Sequence, residues 1–505
     1  MLTGKKEYSQ FITVIFLFTI TGFILYYPVL GNTFLSDDYD SLYRIYIEKR
    51  ILYRDFLRPM IDISFYFNYF ISGLSPGSFY VFNVVLHIIN ALLLFRFTLT
   101  LQMVGEKDQF WFALVSSSLF LIYPFHNESI SWLSGRLSSM ACFFALLSLL
   151  LSVKNKGRLF IFLSIGSYLL GLLCYESIIL LPVIIMALNW RHYTSKQKII
   201  SYSFCWITAT GIYFVARYFL SGVITGNYGN GLADDNFKQK LLNIGKVTGR
   251  LFLPPSENQQ LLTTLTILLF ILLVALHIWI FYNKIFKDIA RTGYLVILTS
   301  LVISLFIPFA FSISTRTSES DRLLYFPSCF FCILAGSWLM VLCKKSLSRL
   351  LVSVTIIFYC VWFLEINNQH WVRASDAAKA IMNACKNKER QNVVFINMPD
   401  EIEGAFVFRN GFRKALIINR IDTSSVMVFN YLKRPDYVKT VNIIIPAVKD
   451  SLLTIFPFTH VSVDSRNRVD ITSTINNRTV TVEKERNLIY YWNKEKLVRL
   501  TDYGF

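Results

Sequence analysis

A chain of 505 residues with 54% hydrophobic side chains, 16% aromatic ones and only 16% charged ones is too apolar for an ordinary soluble protein. Its positive mean hydropathy makes the lipid bilayer the expected solvent. The formal net charge of +18 does not point to nucleic acid, because the basic residues lie in short connections between apolar runs rather than on one patch.

Those runs are long enough to cross roughly 30 Å of hydrocarbon, and they recur from Phe11 to Glu365. The first, Phe11 to Leu30, follows Lys5 and Lys6 and has no small-residue cleavage site, so it is expected to be a retained helix rather than a signal peptide. The next spans are Phe79–Met103, Phe110–Pro124, Arg136–Val153, Leu159–Cys174, Ser177–Trp190 and Ile199–Leu220. Leu261–Tyr282, Gly293–Ile313, Leu323–Cys343 and Leu350–Leu364 complete a set of eleven. Lys107, KNKGR (Lys154–Arg158), RHYTSKQK (Arg191–Lys198), the Lys284–Arg291 stretch and KKSLSR (Lys344–Arg349) occupy alternate connections, which places those connections and the amino terminus in the cytoplasm.

An odd number of crossings sends everything after Glu365 outside. Residues 366–505 contain no span-length run and alternate polar turns with VVFIN (Val393–Asn397), VMVFN (Val426–Asn430) and VNIII (Val441–Ile445). The expected fold is therefore an all-α polytopic membrane domain, 1–365, of about eleven transmembrane helices, followed by a small extracytoplasmic α/β domain, 366–505. Seven of the eight cysteines lie within or beside spans and Cys385 lies in the soluble segment, so no disulfide framework is predicted. Two long outer connections, Gly31–Ser78 and Ser221–Gln260, mix charges with aromatics in the manner of helices lying in the membrane interface.

Four motifs of the outer connections carry ionisable residues. FLSDDYDSLYR (Phe34–Arg44) places Asp37 beside Asp38, and YPFHNESISWLSGR (Tyr123–Arg136) carries His126, Glu128 and Arg136. CYES (Cys174–Ser177) puts Glu176 at the tip of an apolar hairpin, and SESDRLLYFP (Ser318–Pro327) carries Glu319, Asp321, Arg322 and Tyr325. One such residue near a bilayer boundary is readily explained by snorkelling to headgroups, and a lone acidic pair by capping a helix. Four motifs on one face argue for a site. Asn83 and His87, four residues apart on one helix, are expected to make a helix–helix contact.

Adjacent carboxylates suit deprotonation of an attacking hydroxyl, and arginine suits an anionic phosphodiester whose charge grows as it leaves. Asp37 or Asp38 are thus candidate catalytic bases. Arg58, Arg136 and Arg322 are candidates for a phosphate, and His126, Glu128, Glu176, Glu319 and Tyr325 are candidate substrate contacts. His126 and Glu128 with Asp37 or Asp38 also offer donors for a divalent metal, although two acids and one His-x-Glu are not a specific signature.

The stretch RPMIDISFYFNYFISGLSPGSFYVFNVVLHIINALLLF (Arg58–Phe95) resembles a pattern of the transmembrane and tetratricopeptide-containing O-mannosyltransferases and their bacterial relatives. SDD after the first helix, HNESISWLSGR, YES, RLFLPP (Arg250–Pro255) and ESDRLLYFPS follow in the family's order, so the resemblance runs from about Phe34 to Trp371. Tyr175 stands where the family pattern has lysine, and residues 366–505 carry no tetratricopeptide array. The resemblance implies the C-type (GT-C) glycosyltransferase fold, an outward-facing site, a dolichyl- or undecaprenyl-phosphate sugar as donor, and an essential acid in the first outer loop, matched here by Asp37 and Asp38. It implies an inverting transfer of mannose to Ser or Thr of an extracytoplasmic protein, in a bacterial inner (plasma) membrane. Transfer to lipid A or a surface polysaccharide is a second enzyme reading. A lipid-linked oligosaccharide flippase is a third, disfavoured because the charges lie at one face rather than at the midplane and no internal repeat is evident.

Overall fold

A computed structural model describes residues 5–51, 56–154, 157–190, 196–222, 237–283, 285–286, 288–343, 346–386, 392–432, 452–454, 459–463, 468–473, 478–493 and 495–500. The chain divides into two compact units, Met1–Gly31 with Arg50–Asn368, and Asn32–Lys49 with Gln369–Phe505.

The first unit is helical, and a helix stands at each of the apolar runs. Among the described residues, six stretches are long and apolar enough to cross a membrane: Tyr8–Gly31, Pro76–Thr100, Arg136–Val153, Gln259–Tyr282, Ala290–Phe311 and Leu347–Lys386. Arg158–Leu172, Glu176–Asn189 and Pro327–Leu342 are shorter apolar helices, and the run Phe110–Pro124 yields a helix of only 13 residues, Gln109–Leu121. Proline in the first turn starts Pro59–Ser72, Pro76–Thr100 and Pro327–Leu342, where its missing N–H costs nothing. The Asn258 side chain caps Gln259–Tyr282 by accepting from Leu261 N–H at 3.0 Å.

Pro76–Thr100 and Arg136–Lys154 are central and carry polar residues inward, among them Asn83, His87, Asn90 and Arg136. Gln259–Tyr282 is peripheral and exposes Leu265, Ile267, Leu268, Phe270 and Ile271, an arrangement that only lipid would solvate favourably. Within the two long outer connections, Pro59–Ser72 exposes Tyr66, Phe67, Phe70 and Ile71, and Phe237–Arg250 sets exposed Leu241, Leu242 and Ile244 among lysines. Both patterns suit the interface.

In the second unit, strand Asn392–Pro399 is central to a four-stranded sheet. It pairs in parallel with Val426–Leu432 and Asn487–Trp492, and Leu497–Arg499 adds an antiparallel edge. Leu452–Thr454, Thr459–Val463, Arg468–Ser473 and Arg478–Glu483 form an antiparallel sheet. Val394, Ile396, Phe429, Ile471, Ile489 and Tyr491 make a common core. VVFIN and VMVFN are therefore neighbouring strands, whereas the expected strand Val441–Ile445 falls outside the described residues.

The first outer segment, 32–49, groups with this second unit. Its helix Asp38–Tyr46 buries Tyr39, Leu42 and Ile45. Tyr39 stacks on Phe408 with ring centroids 5.9 Å apart, and Thr33 N–H donates to Ser375 Oγ at 2.9 Å.

Candidate active site

Arg58, immediately before the helix Pro59–Ser72, reaches the short turn Glu176–Ile178. Its Nη2 and Nε donate to Glu176 Oε2 at 2.8 and 3.2 Å. The other carboxylate oxygen accepts from Arg217, whose Nη1 is also 3.0 Å from Tyr213 OH. Two guanidiniums thus share one carboxylate. Arg58 stacks over Phe56 and Tyr175 at 4.6 and 4.8 Å, so the ring standing in the family's lysine position braces a cation instead of supplying one. Arg58 and Glu176 keep 15% and 21% of their side-chain surface exposed, while Arg217 keeps 3%, so an arriving anion meets Arg58 first. Burial would raise the Glu176 carboxyl, but Arg58 and Arg217 outweigh it and hold the group below its usual value.

A second cluster joins two motifs far apart in sequence. Glu128 sits in the one-turn helix Asn127–Ile130, and its carboxylate accepts from both the backbone N–H of Arg322, at 2.9 Å, and its guanidinium. The loop is tight enough that a Cβ on Gly135 would lie 1.8 Å from Glu128 O, which explains the glycine of WLSGR. Next to it, Arg250 grips Asp321 through two parallel bonds of 2.8 and 2.5 Å and stacks over Phe125 at 4.4 Å. Burial pushes Asp321 up to about 7 and raises Glu128 as well, against the pull of Arg250 and Arg322 respectively. Glu319, half-buried nearby, adds to the upward shift of Glu128.

His126, Tyr325 and Arg136 are fully buried. His126 Nε2 pairs with Ser328 Oγ at 2.7 Å, and burial lowers its pKa well below the usual histidine value, leaving it neutral. Tyr325 OH meets His87 Nδ1 at 2.7 Å and Asn90 Nδ2 at 3.2 Å. His87 therefore does make the expected helix–helix contact, as does Asn83, whose amide donates to Ile130 O at 3.0 Å. Arg136 donates to Asn68 Oδ1 (2.7 Å), Phe79 O (3.1 Å) and Ser64 Oγ (3.2 Å) among the rings of Phe65 and Phe82. An arginine sealed in this way braces helices, so accessibility favours Arg58 and Arg322 as anion contacts.

Asp37 and Asp38 lie in the other unit. Asp38 is fully buried and its Oδ2 accepts from Leu35 N–H at 2.9 Å, closing the turn. Asp37 is half-buried, and its Oδ1 accepts from Asn410 Nδ2 at 2.8 Å. Among the described residues no group of three His, Cys, Asp or Glu side chains is placed to hold a metal ion. His126 is engaged by Ser328 and Glu128 by Arg322.

An apolar cavity of about 290 Å³ lies in the first unit against Phe125, Leu251, Phe331, Trp338, Val352 and Tyr359. It follows Pro327–Leu342 over positions 331 to 342, roughly 17 Å at 1.5 Å per residue. Sequence reasoning did not select Arg217, Arg250 or Asn410. Arg217 had a signal, being a charge inside the apolar run Ile199–Leu220.

No family model matches the chain. It is 28% identical over 171 residues to the protein O-mannosyl-transferase F38B6.6 of Caenorhabditis elegans, covering 30% of this chain and 24% of that one. It is 36% identical over 98 residues to protein O-mannosyl-transferase TMTC2 of Mus musculus, covering 19% and 11%. Against protein O-mannosyl-transferase Tmtc1 of Drosophila melanogaster it is 32% identical over 127 residues, covering 24% and 14%. The chain thus spans a quarter or less of the length of these curated relatives.

Proposed function

We propose that this protein is an inverting glycosyltransferase that moves one mannose-like sugar from a polyprenyl phosphate to an extracytoplasmic Ser or Thr hydroxyl. The observation that carries the reading is the trio of Arg58, Arg217 and Glu176, two guanidiniums on one partly exposed carboxylate at the end of apolar helices. Similarity to protein O-mannosyl-transferases supports the reaction type. All eleven apolar runs cross the membrane in this reading, with the amino terminus cytoplasmic and the carboxyl-terminal unit outside a bacterial inner membrane.

Asp37 takes the proton of the acceptor hydroxyl, a role resting on the sequence resemblance and on its greater exposure than Asp38. The acceptor oxygen attacks the anomeric carbon opposite the phosphate, the bond from that carbon to the phosphate oxygen breaks, and polyprenyl phosphate departs with the electron pair. Arg58 and Arg217 stabilise the charge that grows on the leaving oxygen. Arg322 with Glu128 contacts the sugar, and the apolar cavity suits the isoprenoid chain.

The test is incubation of purified protein with a panel of polyprenyl-phosphate sugars and a Ser/Thr-rich peptide. Release of polyprenyl phosphate with glycosylated peptide is expected from one of them. No release from any donor, by protein that remains folded, would overturn the reading.

A further inference from the structure

The acidic loop is seated by a turn almost four hundred positions later in the chain. Ser36, at φ +42°, donates its N–H to Val407 O at 2.9 Å, and its Oγ accepts from Asn410 N–H at 3.1 Å. Asn410 also extends its side-chain amide to Asp37 Oδ1 at 2.8 Å. Lys414 pairs with Asp40 at 2.9 Å, one turn along the helix Phe412–Ile418. Gly411, at φ +77°, permits the close approach, since a Cβ there would stand 2.4 Å from Ser36 O. One residue, Asn410, therefore holds both the backbone turn and a carboxylate oxygen of the candidate base.

We propose that Asn410 is a positioning residue for Asp37. This rests on the assignment of Asp37 as base. A general base works only from a narrow range of orientations, and an amide donor on one oxygen fixes the carboxylate rotamer while leaving the group ionised. Asn410→Asp has the same shape but turns the donor into a like charge. Asn410→Ala removes the donor, and Asn410→Gln keeps an amide.

The experiment measures kcat, donor KM and melting temperature of the full-length protein with its polyprenyl-phosphate sugar. Asn410→Asp should lower kcat by roughly tenfold with donor KM and melting temperature close to wild type. Asn410→Ala should lose somewhat less, and Asn410→Gln should recover part of the loss. In an Asp37→Asn background, Asn410→Ala should have no further effect on the residual rate, because the group it positions is gone. Unchanged kcat in both Asn410→Asp and Asn410→Ala, beside an inactive Asp37→Asn, would overturn the positioning role and leave the base intact. A rate loss that only tracks a fall in melting temperature, or that is undiminished in the Asp37→Asn background, would overturn it equally. Full activity in Asp37→Asn would remove the base assignment and this role together.

Discussion

Replacing Arg58 by alanine removes the more exposed of the two guanidiniums on Glu176 and leaves Arg217 balanced one-to-one by the carboxylate. The more exposed guanidinium, the one that would meet a phosphate first, is then gone. A charge-assisted hydrogen bond is worth about 1.5 to 3 kcal/mol, so turnover should fall by roughly 10- to 150-fold. Because the contact strengthens as the phosphate leaves, kcat should fall more than donor affinity. Lysine should rescue only partly, since it can neither fork onto the carboxylate nor stack between Phe56 and Tyr175 in the same way. Arg136→Ala provides the contrast. It strands Asn68 Oδ1 and Phe79 O in the interior and empties a large site, so it should destabilise by about 3 kcal/mol or more. Single-turnover rates, donor binding and thermal stability of Arg58→Ala, Arg217→Ala and Arg136→Ala separate the two behaviours. Unchanged rates in both Arg58→Ala and Arg217→Ala would refute the clamp, as would an Arg136→Ala protein of native stability with the largest rate loss.

Asp37→Asn should insert normally and lose about 10²- to 10⁴-fold in turnover, because an amide cannot accept the hydroxyl proton; wild-type kcat would rule Asp37 out. Asp38→Ala should instead loosen the turn that its carboxylate closes, seen as a loss of melting temperature of the second unit's core; unaltered stability would count against that role. Glu176 is held below its usual pKa of about 4.5, so its stabilisation is present above that value and lost as pH falls through the lower folded value. Thermal unfolding in detergent should accordingly show an acid-side loss that Glu176→Gln diminishes, and identical acid profiles for both proteins would disprove it. A reporter fused after Phe505 should be active only when it works outside the cytoplasm, and cytoplasmic activity would invert the topology.

The helices were legible because an apolar run of span length has few alternatives, and the strands Val393–Asn397 and Val426–Asn430 because β-branched and aromatic residues crowd between polar turns. The separate motifs HNESISWLSGR and ESDRLLYFPS meet through Glu128 and Arg322. Partners were not legible. Arg217 on Glu176, Arg250 on Asp321 and Asn410 on Asp37 are fixed by packing across 41, 71 and 373 positions, and no local pattern encodes such distances. Burial was equally hidden: Arg136 and Arg58 look alike as arginines beside apolar helices, yet one is enclosed by aromatic rings and the other keeps an exposed edge. The grouping of 32–49 with the carboxyl-terminal unit depends on a glycine at positive φ, one backbone bond from Ser36 to Val407 and side-chain bonds such as Asn410 to Asp37, which composition does not reveal.

The most direct test places the purified protein in proteoliposomes with a polyprenyl-phosphate mannose and a Ser/Thr acceptor peptide, and follows both the lipid and the sugar. A glycosyltransferase of the kind proposed cleaves the donor, releases polyprenyl phosphate in equal amount to the mannose gained by the peptide, and delivers that mannose with inverted anomeric configuration. Movement of intact lipid-linked sugar between leaflets without cleavage, or a product that retains the donor configuration, would contradict it.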